Sequence, residues 1–179
     1  MVKNGYDIEN IHSPENAETQ QIWDMLGEVY DPEVPVLSIL DLGIVRDIQF
    51  DPLINSSGGW DITITPTYSG CPAMDVINMN IRFKLIENGI LNFRIRQVLS
   101  PAWTTDWMTE TGRQKLKAYG IAPPTGSTNE NLFGTKDDIE CPRCRSKNTK
   151  LISEFGSTAC KALYQCNDCK EPFDYFKCH

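Results

Sequence analysis

A chain of 179 residues with a formal charge of −7 can hold one domain with a sizeable core and a small satellite module. The acidic balance argues against general nucleic-acid or membrane-surface binding. No run is apolar for long enough to span a bilayer, and the polar N-terminus lacks a signal peptide's apolar core, so a cytoplasmic protein is expected. The charge is uneven: residues 1–135 carry 9 Lys+Arg against 17 Asp+Glu, and residues 136–179 carry 8 against 7, a step that suggests two domains. Six of the 7 cysteines follow Glu140, which points to metal binding in a reducing compartment rather than to a disulfide framework.

Residues 1–16 show no clear periodicity up to Ser13-Pro14-Glu15, a good helix start with a capping hydroxyl and proline in the first turn. Ile22, Met25, Leu26 and Val29 then form one apolar face, and the helix is expected to run to about Tyr30. Asp31-Pro32-Glu33-Val34-Pro35 breaks it, because each proline forces its predecessor out of helical geometry. Asp31 and Glu33 thus sit in a rigid turn, and Asp41 precedes Leu42-Gly43-Ile44-Val45. Solvated turn chemistry and a functional acid cluster both fit these three residues.

Residues 44–50 read as a strand, joined through a Gly/Asn/Ser-rich loop to a second strand in which Ile62 and Ile64 alternate with Asp61 and Thr63. Next comes Thr65-Pro66-Thr67-Tyr68-Ser69-Gly70-Cys71-Pro72. Pro72 suits a first helical turn, which places Cys71 at the N-cap, where unpaired amides and the helix dipole favour a thiolate. Such a cysteine is a nucleophile or metal ligand; a small buried hydrophobe is the other reading. Met74, Ile77, Ile81 and Leu85 form one helical stripe and Met79, Phe83 and Ile86 a second, so this helix is expected to be broadly buried until Gly89 stops it.

Residues 92–99 make another strand, and the helix before it should make the two strands parallel and right-handed. Arg94 and Arg96 then line a solvated face or, less simply, an anion site. Ser100-Pro101-Ala102-Trp103-Thr104-Thr105-Asp106-Trp107 leaves the C-terminal end of that strand beside the Cys71 loop, either as a site wall or as a lid on the core. Thr109 caps a further helix closed by Gly120-Ile121, and residues 122–138 read as a linker.

Cys141-Pro142-Arg143-Cys144 and Cys166-Asn167-Asp168-Cys169 are two C-x2-C pairs, each able to present two thiolates to one tetrahedral metal. Residues 150–155 and 161–165 can form the hairpin between them, and the metal should supply much of the folding energy of so small a unit. A closed four-cysteine site is structural, so one zinc is expected. Cys160, Cys178 and His179 are three extra donors that leave a different arrangement open, including an iron-sulfur centre. The fold class is therefore α/β: a small mixed sheet with a βαβ unit and flanking helices, followed by a separate metal-bound β-ribbon.

Several of these motifs carry a family resemblance. Asp31-Pro32-Glu33-Val34-Pro35, Asp41-Leu42-Gly43-Ile44-Val45, Thr65 with Gly70-Cys71-Pro72, and Pro101-Ala102-Trp103 resemble the small α/β domain of SufT-type iron-sulfur assembly proteins. The linker Gly120-Ile121-Ala122-Pro123-Pro124 and the cysteine-rich tail extend the likeness to the PaaD-like family, a component of the bacterial phenylacetyl-CoA epoxidase complex. The resemblance implies residues 17–121 as the assembly domain and residues 139–179 as a zinc ribbon. It further implies an accessory factor for the ring-epoxidising oxygenase of aerobic phenylacetate breakdown, one that helps mature its iron-sulfur or di-iron centres. Cys71 then takes the place of the family's reactive cysteine, with Asp31, Glu33 and Asp41 as its acidic motif, and the group would hold iron or a cluster transiently.

The partners so implied are protein subunits of the oxygenase, with no nucleic acid and no membrane; a homo-oligomer stays open. A structural adaptor without cluster chemistry is the alternative, resting on the ribbon and its aromatic residues Phe173, Tyr175 and Phe176. A thioester-cleaving enzyme fits poorly, because the histidines that could serve Cys71 as base, His12 and His179, lie at the two ends of the chain.

Overall fold

The computed structural model describes residues 17–125 and 139–177. Helix α1 (Ala17–Leu26) turns Ile22 and Leu26 into the core. It ends four residues before the expected Tyr30, because the chain turns from Gly27 onward and Tyr30 bridges to Ser38 instead. Val29 is buried all the same, its carbonyl accepting from the Ile39 amide at 2.9 Å. The Ser13-Pro14-Glu15 helix start lies outside the described residues.

Strands β1 (Val45–Asp51) and β2 (Gly59–Ile64) pair antiparallel, and β3 (Phe93–Gln97) joins β2 in parallel after helix α2 (Ala73–Glu87), giving the order β1-β2-β3. This is the expected βαβ unit on a hairpin. Ile62 stands between Ile48 and Ile95 in register and is 0 % exposed. Its face of the sheet packs against Met74, Ile77, Ile81 and Leu85 of α2, where each fully buried aliphatic side chain contributes about 2 kcal/mol.

The alternate positions of β2 hold Asp61 and Thr63. Arg96 donates through Nε to both Asp61 oxygens at 2.9 Å and through its guanidinium to Thr63 Oγ1 at 2.9 Å, while Arg94 reaches Asp61 at 2.6 Å. The two arginines therefore neutralise a buried acid across the strands.

The expectation of a broadly buried α2 is wrong. Val76, Met79, Phe83 and Ile86 remain exposed, Phe83 at 63 %. A three-stranded sheet and a ten-residue α1 cover only one face of this helix.

Trp103 and Trp107 act as a lid on the core. The Trp103 indole Nε1 donates to the Leu42 carbonyl at 2.8 Å, and the Arg46 guanidinium lies 3.5 Å from the Trp107 ring centroid. Gly43 (φ +67°) lets the 40–44 turn close against this loop, because a Cβ there would stand 2.3 Å from the Trp107 carbonyl oxygen. Helix α3 (Glu110–Tyr119) follows, capped as expected by Thr109, whose Oγ1 accepts from the Gly112 amide at 2.9 Å, and ended by left-handed Gly120.

The C-terminal unit is a three-stranded antiparallel sheet, β4 (Thr149–Ser153), β5 (Lys161–Cys166) and β6 (Pro172–Phe176), in that order. The aromatic tail thus adds a third strand to the expected hairpin. Ala122, Ile139, Ala162, Phe173 and Tyr175 form its small core together with Cys141 and Cys166.

Ala122, expected in the linker, pairs in parallel with Tyr175, and its carbonyl accepts from the Phe176 amide at 2.9 Å. Phe176 is 1 % exposed and meets the Trp103 ring edge-on at 6.2 Å between centroids, so the ribbon is docked on the first sheet's core. Among the described residues no helix is long and apolar enough to cross a membrane.

Candidate functional site

Two groups of cysteines lie on different parts of the molecule. In the first, Cys141, Cys144, Cys166 and Cys169 bring their sulfurs within 4.8 Å of one another. The Cys141–Cys169 and Cys144–Cys166 sulfur pairs lie 3.8 Å and 3.5 Å apart. A tetrahedral ion with bonds of about 2.3 Å needs sulfurs about 3.8 Å apart, so the four thiols fit a single metal.

Backbone turns set this spacing. The Arg145 amide donates to the Cys141 carbonyl at 2.9 Å and the Cys166 amide to the Glu171 carbonyl at 3.0 Å, and Arg145 and Lys170 adopt left-handed φ to close the two knuckles. Asp168 ties the knuckles together, accepting from Ser146 Oγ and from Asn148 Nδ2. The Cys169 amide, ahead of burial and the Asp168 amide, governs Cys166 and pulls its thiol down to about 7.

The second group is built around Cys71. The loop after β2 carries it to the start of α2, where Pro72 is the N-cap, so Cys71 stands one residue earlier than expected. Its sulfur still accepts from the Ala73 amide and from the Tyr68 hydroxyl. Burial outweighs both, and Glu33 and Asp31 add to it, so the thiol is held above its ordinary value. The expectation that the helix start would favour a thiolate is therefore corrected: desolvation and two carboxylates win over two hydrogen bonds.

Asp31 Oδ1 accepts from the amides of Glu33 at 2.6 Å and Val34 at 3.0 Å, which rigidifies the turn that presents Glu33. Burial raises the Asp31 carboxyl above its usual range against the pull of those amides and of Lys161. A raised carboxyl means that the folded chain binds its proton more tightly than the unfolded chain does, so ionised Asp31 works against folding at neutral pH. Asp31→Asn is expected to melt at a higher temperature than the wild type at pH 7. The gap should close as the pH falls through the raised value toward 3.8, where both states are protonated; thermal melts across that range check it.

The sequence groups Cys160 with the tail donors, but the structure keeps it out of the four-sulfur group. It immediately precedes β5, buried, with its thiol directed at Glu33 Oε2 (3.8 Å) and 3.0 Å from Thr158 Oγ1. Burial, with Glu33 and Asp31 behind it, pushes this thiol up to about 11. Lys161, 5 % exposed, lies between the fields of Asp31 and Asp174.

Asp41 is not brought to the thiols. Its Oδ2 accepts from the Ser38 amide and hydroxyl at 2.9 Å each and from Lys115 Nζ at 2.6 Å, and Thr109 Oγ1 reaches Oδ1 at 3.3 Å. It braces the turn before β1 to the start of α3. Cys178 and His179 lie outside the described residues. Sequence reasoning missed Tyr68, Thr158 and Lys161 as neighbours of the thiols; Tyr68, three residues before Cys71, was the one a short-range signal could have found.

Comparison with known proteins finds matches to two separate parts of the chain. A family profile described as "Iron-sulfur cluster assembly protein" matches residues 19–87, and one described as "PaaD zinc beta ribbon domain" matches residues 125–177. The D component of the "Putative 1,2-phenylacetyl-CoA epoxidase" of Escherichia coli K12 is 50% identical over 162 residues, covering 90% of this chain and 93% of its own length. The "Fe-S protein maturation auxiliary factor" of Porphyromonas gingivalis W83 is 33% identical over 98 residues, 54% of this chain and 89% of its own. A crystal structure of a DUF59 domain from Bacillus anthracis aligns with a TM-score of 0.48 at 27% identity, over 54% of this chain and 89% of that one.

Proposed function

The chain belongs to the PaaD family of phenylacetyl-CoA epoxidase components, which joins an iron-sulfur assembly domain to a zinc ribbon, and from that premise we propose that it matures a metal centre of its partner oxygenase. Residues 17–121 act as the assembly domain and residues 139–179 as the ribbon, in the cytoplasm and in contact with the oxygenase's protein subunits. The metal of the four ribbon cysteines is zinc, held structurally, since a closed four-thiolate shell leaves no position for a reactant. The iron or cluster at Cys71 is cargo, not a resident cofactor.

The observation that carries this reading is the pairing of a half-buried thiol with carboxylates. Cys71 is held protonated by burial, Glu33 and Asp31, which makes it a weak nucleophile at neutral pH. A cation changes that balance. Ferrous iron accepts both thiolate and carboxylate donors, and its charge replaces the repulsion that keeps the thiol protonated. Binding is thereby reversible and pH-sensitive, which suits delivery better than storage.

The test is to produce the oxygenase in cells that supply the wild type, Cys71→Ser or no copy of this protein. The expected result is a soluble, zinc-containing Cys71→Ser protein alongside an oxygenase as poor in iron, and as inactive, as with no copy at all. A fully metallated, active oxygenase made with the variant overturns the proposal.

One observation favours the adaptor reading: the exposed α2 stripe of Val76, Met79, Phe83 and Ile86 is an apolar surface available to a partner. Stable co-purification in fixed ratio with oxygenase subunits, unaffected by Cys71→Ser, would support it.

A further inference from the structure

Among the described residues two thiols lie outside the ribbon's metal group, and they come from different sheets yet answer to the same acids. Cys71 follows β2, and Cys160 immediately precedes β5. Glu33 lies 3.8 Å from the Cys160 sulfur, and its charge together with that of Asp31 is felt at both thiols. Tyr68, which donates to Cys71, also feels Cys160. Three stretches of chain thus converge: the Asp31–Glu33 turn, the Cys71 loop and the ribbon.

This placement of Cys160 is not a by-product of the ribbon's own metal site. It follows from docking: Phe176 inserts beside Trp103, Ala122 pairs with Tyr175, and the Lys177 amide donates to the Cys160 carbonyl at 3.0 Å. Those contacts hold the thiol in the first sheet's core, 5 % exposed, where it faces a carboxylate. Packing alone asks only for a small apolar side chain here, whereas this thiol is aimed at a carboxylate that can share a cation with it.

Resting on the maturation reading above, we propose that Cys160 is the second thiolate of the Cys71 site, and that Cys71, Cys160 and Glu33 together take one ferrous ion as cargo. The ribbon is then part of the carrier site. On binding, two S–H bonds break, two iron–sulfur bonds form, and both protons leave to solvent with no change in oxidation state. Among the described residues the ribbon cysteines are the only group of three or more such donors already within 4.8 Å of one another, so at the second site the ion must draw its ligands together. The half-buried Cys71 loop, with left-handed Gly70 before it, has more room to move than buried Cys160.

The test adds ferrous iron alone, anaerobically, to the full-length zinc-loaded protein. Iron and zinc are then counted, and the iron X-ray absorption edge, which is blind to the zinc, reads the donors. One iron per chain with two sulfur donors is expected in the wild type. Cys71→Ala and Cys160→Ala should each keep one zinc and weaken iron binding by about 100-fold or more, since even the loss of a residue that merely supports a metal ligand costs 10–100-fold.

A single sulfur at iron, or wild-type affinity in Cys160→Ala beside a loss in Cys71→Ala, overturns the role of Cys160 while leaving Cys71 as a carrier. Four sulfurs would put the iron in the ribbon and overturn it as well. No iron bound, or binding indifferent to both thiols, overturns the shared site and the maturation reading together. The wild-type donor count decides the question even if a variant fails to fold.

Discussion

Cys166→Ala is expected to lose the ribbon's metal and, with it, the fold of residues 139–177. Cys166 is fully buried in a core of only a few residues, and it packs there beside Cys141. So little apolar area cannot offset the entropy of ordering three strands. Structural zinc in comparable units contributes apparent binding free energies of about 10–16 kcal/mol, so removing one buried ligand outweighs any other single substitution in this unit. Metal analysis and circular dichroism of the purified variant provide the check. The loss should spread to the first sheet, because Phe176 and Cys160 leave its core when the ribbon melts. A variant that kept stoichiometric metal and the wild-type melt would show that the hairpin folds without its fourth thiol.

The second large effect is expected at Asp41. Burial would raise this carboxyl, but the Lys115 ammonium and the Ser38 amide and hydroxyl outweigh it and hold the carboxyl below its ordinary 3.8. Asp41→Ala leaves the Ser38 amide and hydroxyl buried without their acceptor and unties the turn before β1 from α3. Leaving such groups unsatisfied costs about 1–3 kcal/mol each and the losses are not additive, so about 3 kcal/mol is expected overall, read as a lower urea midpoint at unchanged slope. The sign with pH follows from the depressed carboxyl: its contribution is present above the unfolded value of 3.8 and is lost as the pH falls through the folded one. A change below about 0.5 kcal/mol, typical of surface substitutions, would contradict the bracing role.

The parts of the fold set by local signals were legible in the sequence. The period-2 strand at Ile62 and Ile64, the inner α2 stripe at Met74, Ile77, Ile81 and Leu85, the Thr109 and Gly120 caps and the paired C-x2-C turns all follow from spacing and residue type, and the structure carries each of them. The misreadings share a different cause. Asp41 sits in the same acidic neighbourhood as Asp31 and Glu33, and only its ion pair with Lys115, 74 residues away, assigns it to the scaffold. The outer stripe of α2 has the composition of a core face, but the described elements cover only the inner one.

The setting of Cys71 was legible in the sequence and that of Cys160 was not. Proline and glycine around Cys71 mark a strand-to-helix turn, whereas Cys160 reaches Glu33 across 127 residues through the docking of an entire sheet. The direction of the Cys71 pKa escapes sequence reading for the same reason. A helix start is visible in sequence; the desolvation and the acids contributed by a distant turn are not.

Transfer of labelled iron tests the central claim most directly. The zinc-containing protein is loaded anaerobically with isotopically labelled ferrous iron, mixed with the iron-free oxygenase component and separated from it, and the label on each protein is counted. The account predicts that the label passes to the oxygenase from the wild type and restores its activity, while Cys71→Ser neither holds nor delivers it. Equal uptake from the wild type, from Cys71→Ser and from the iron salt alone would contradict a carrier role and leave the protein as an adaptor.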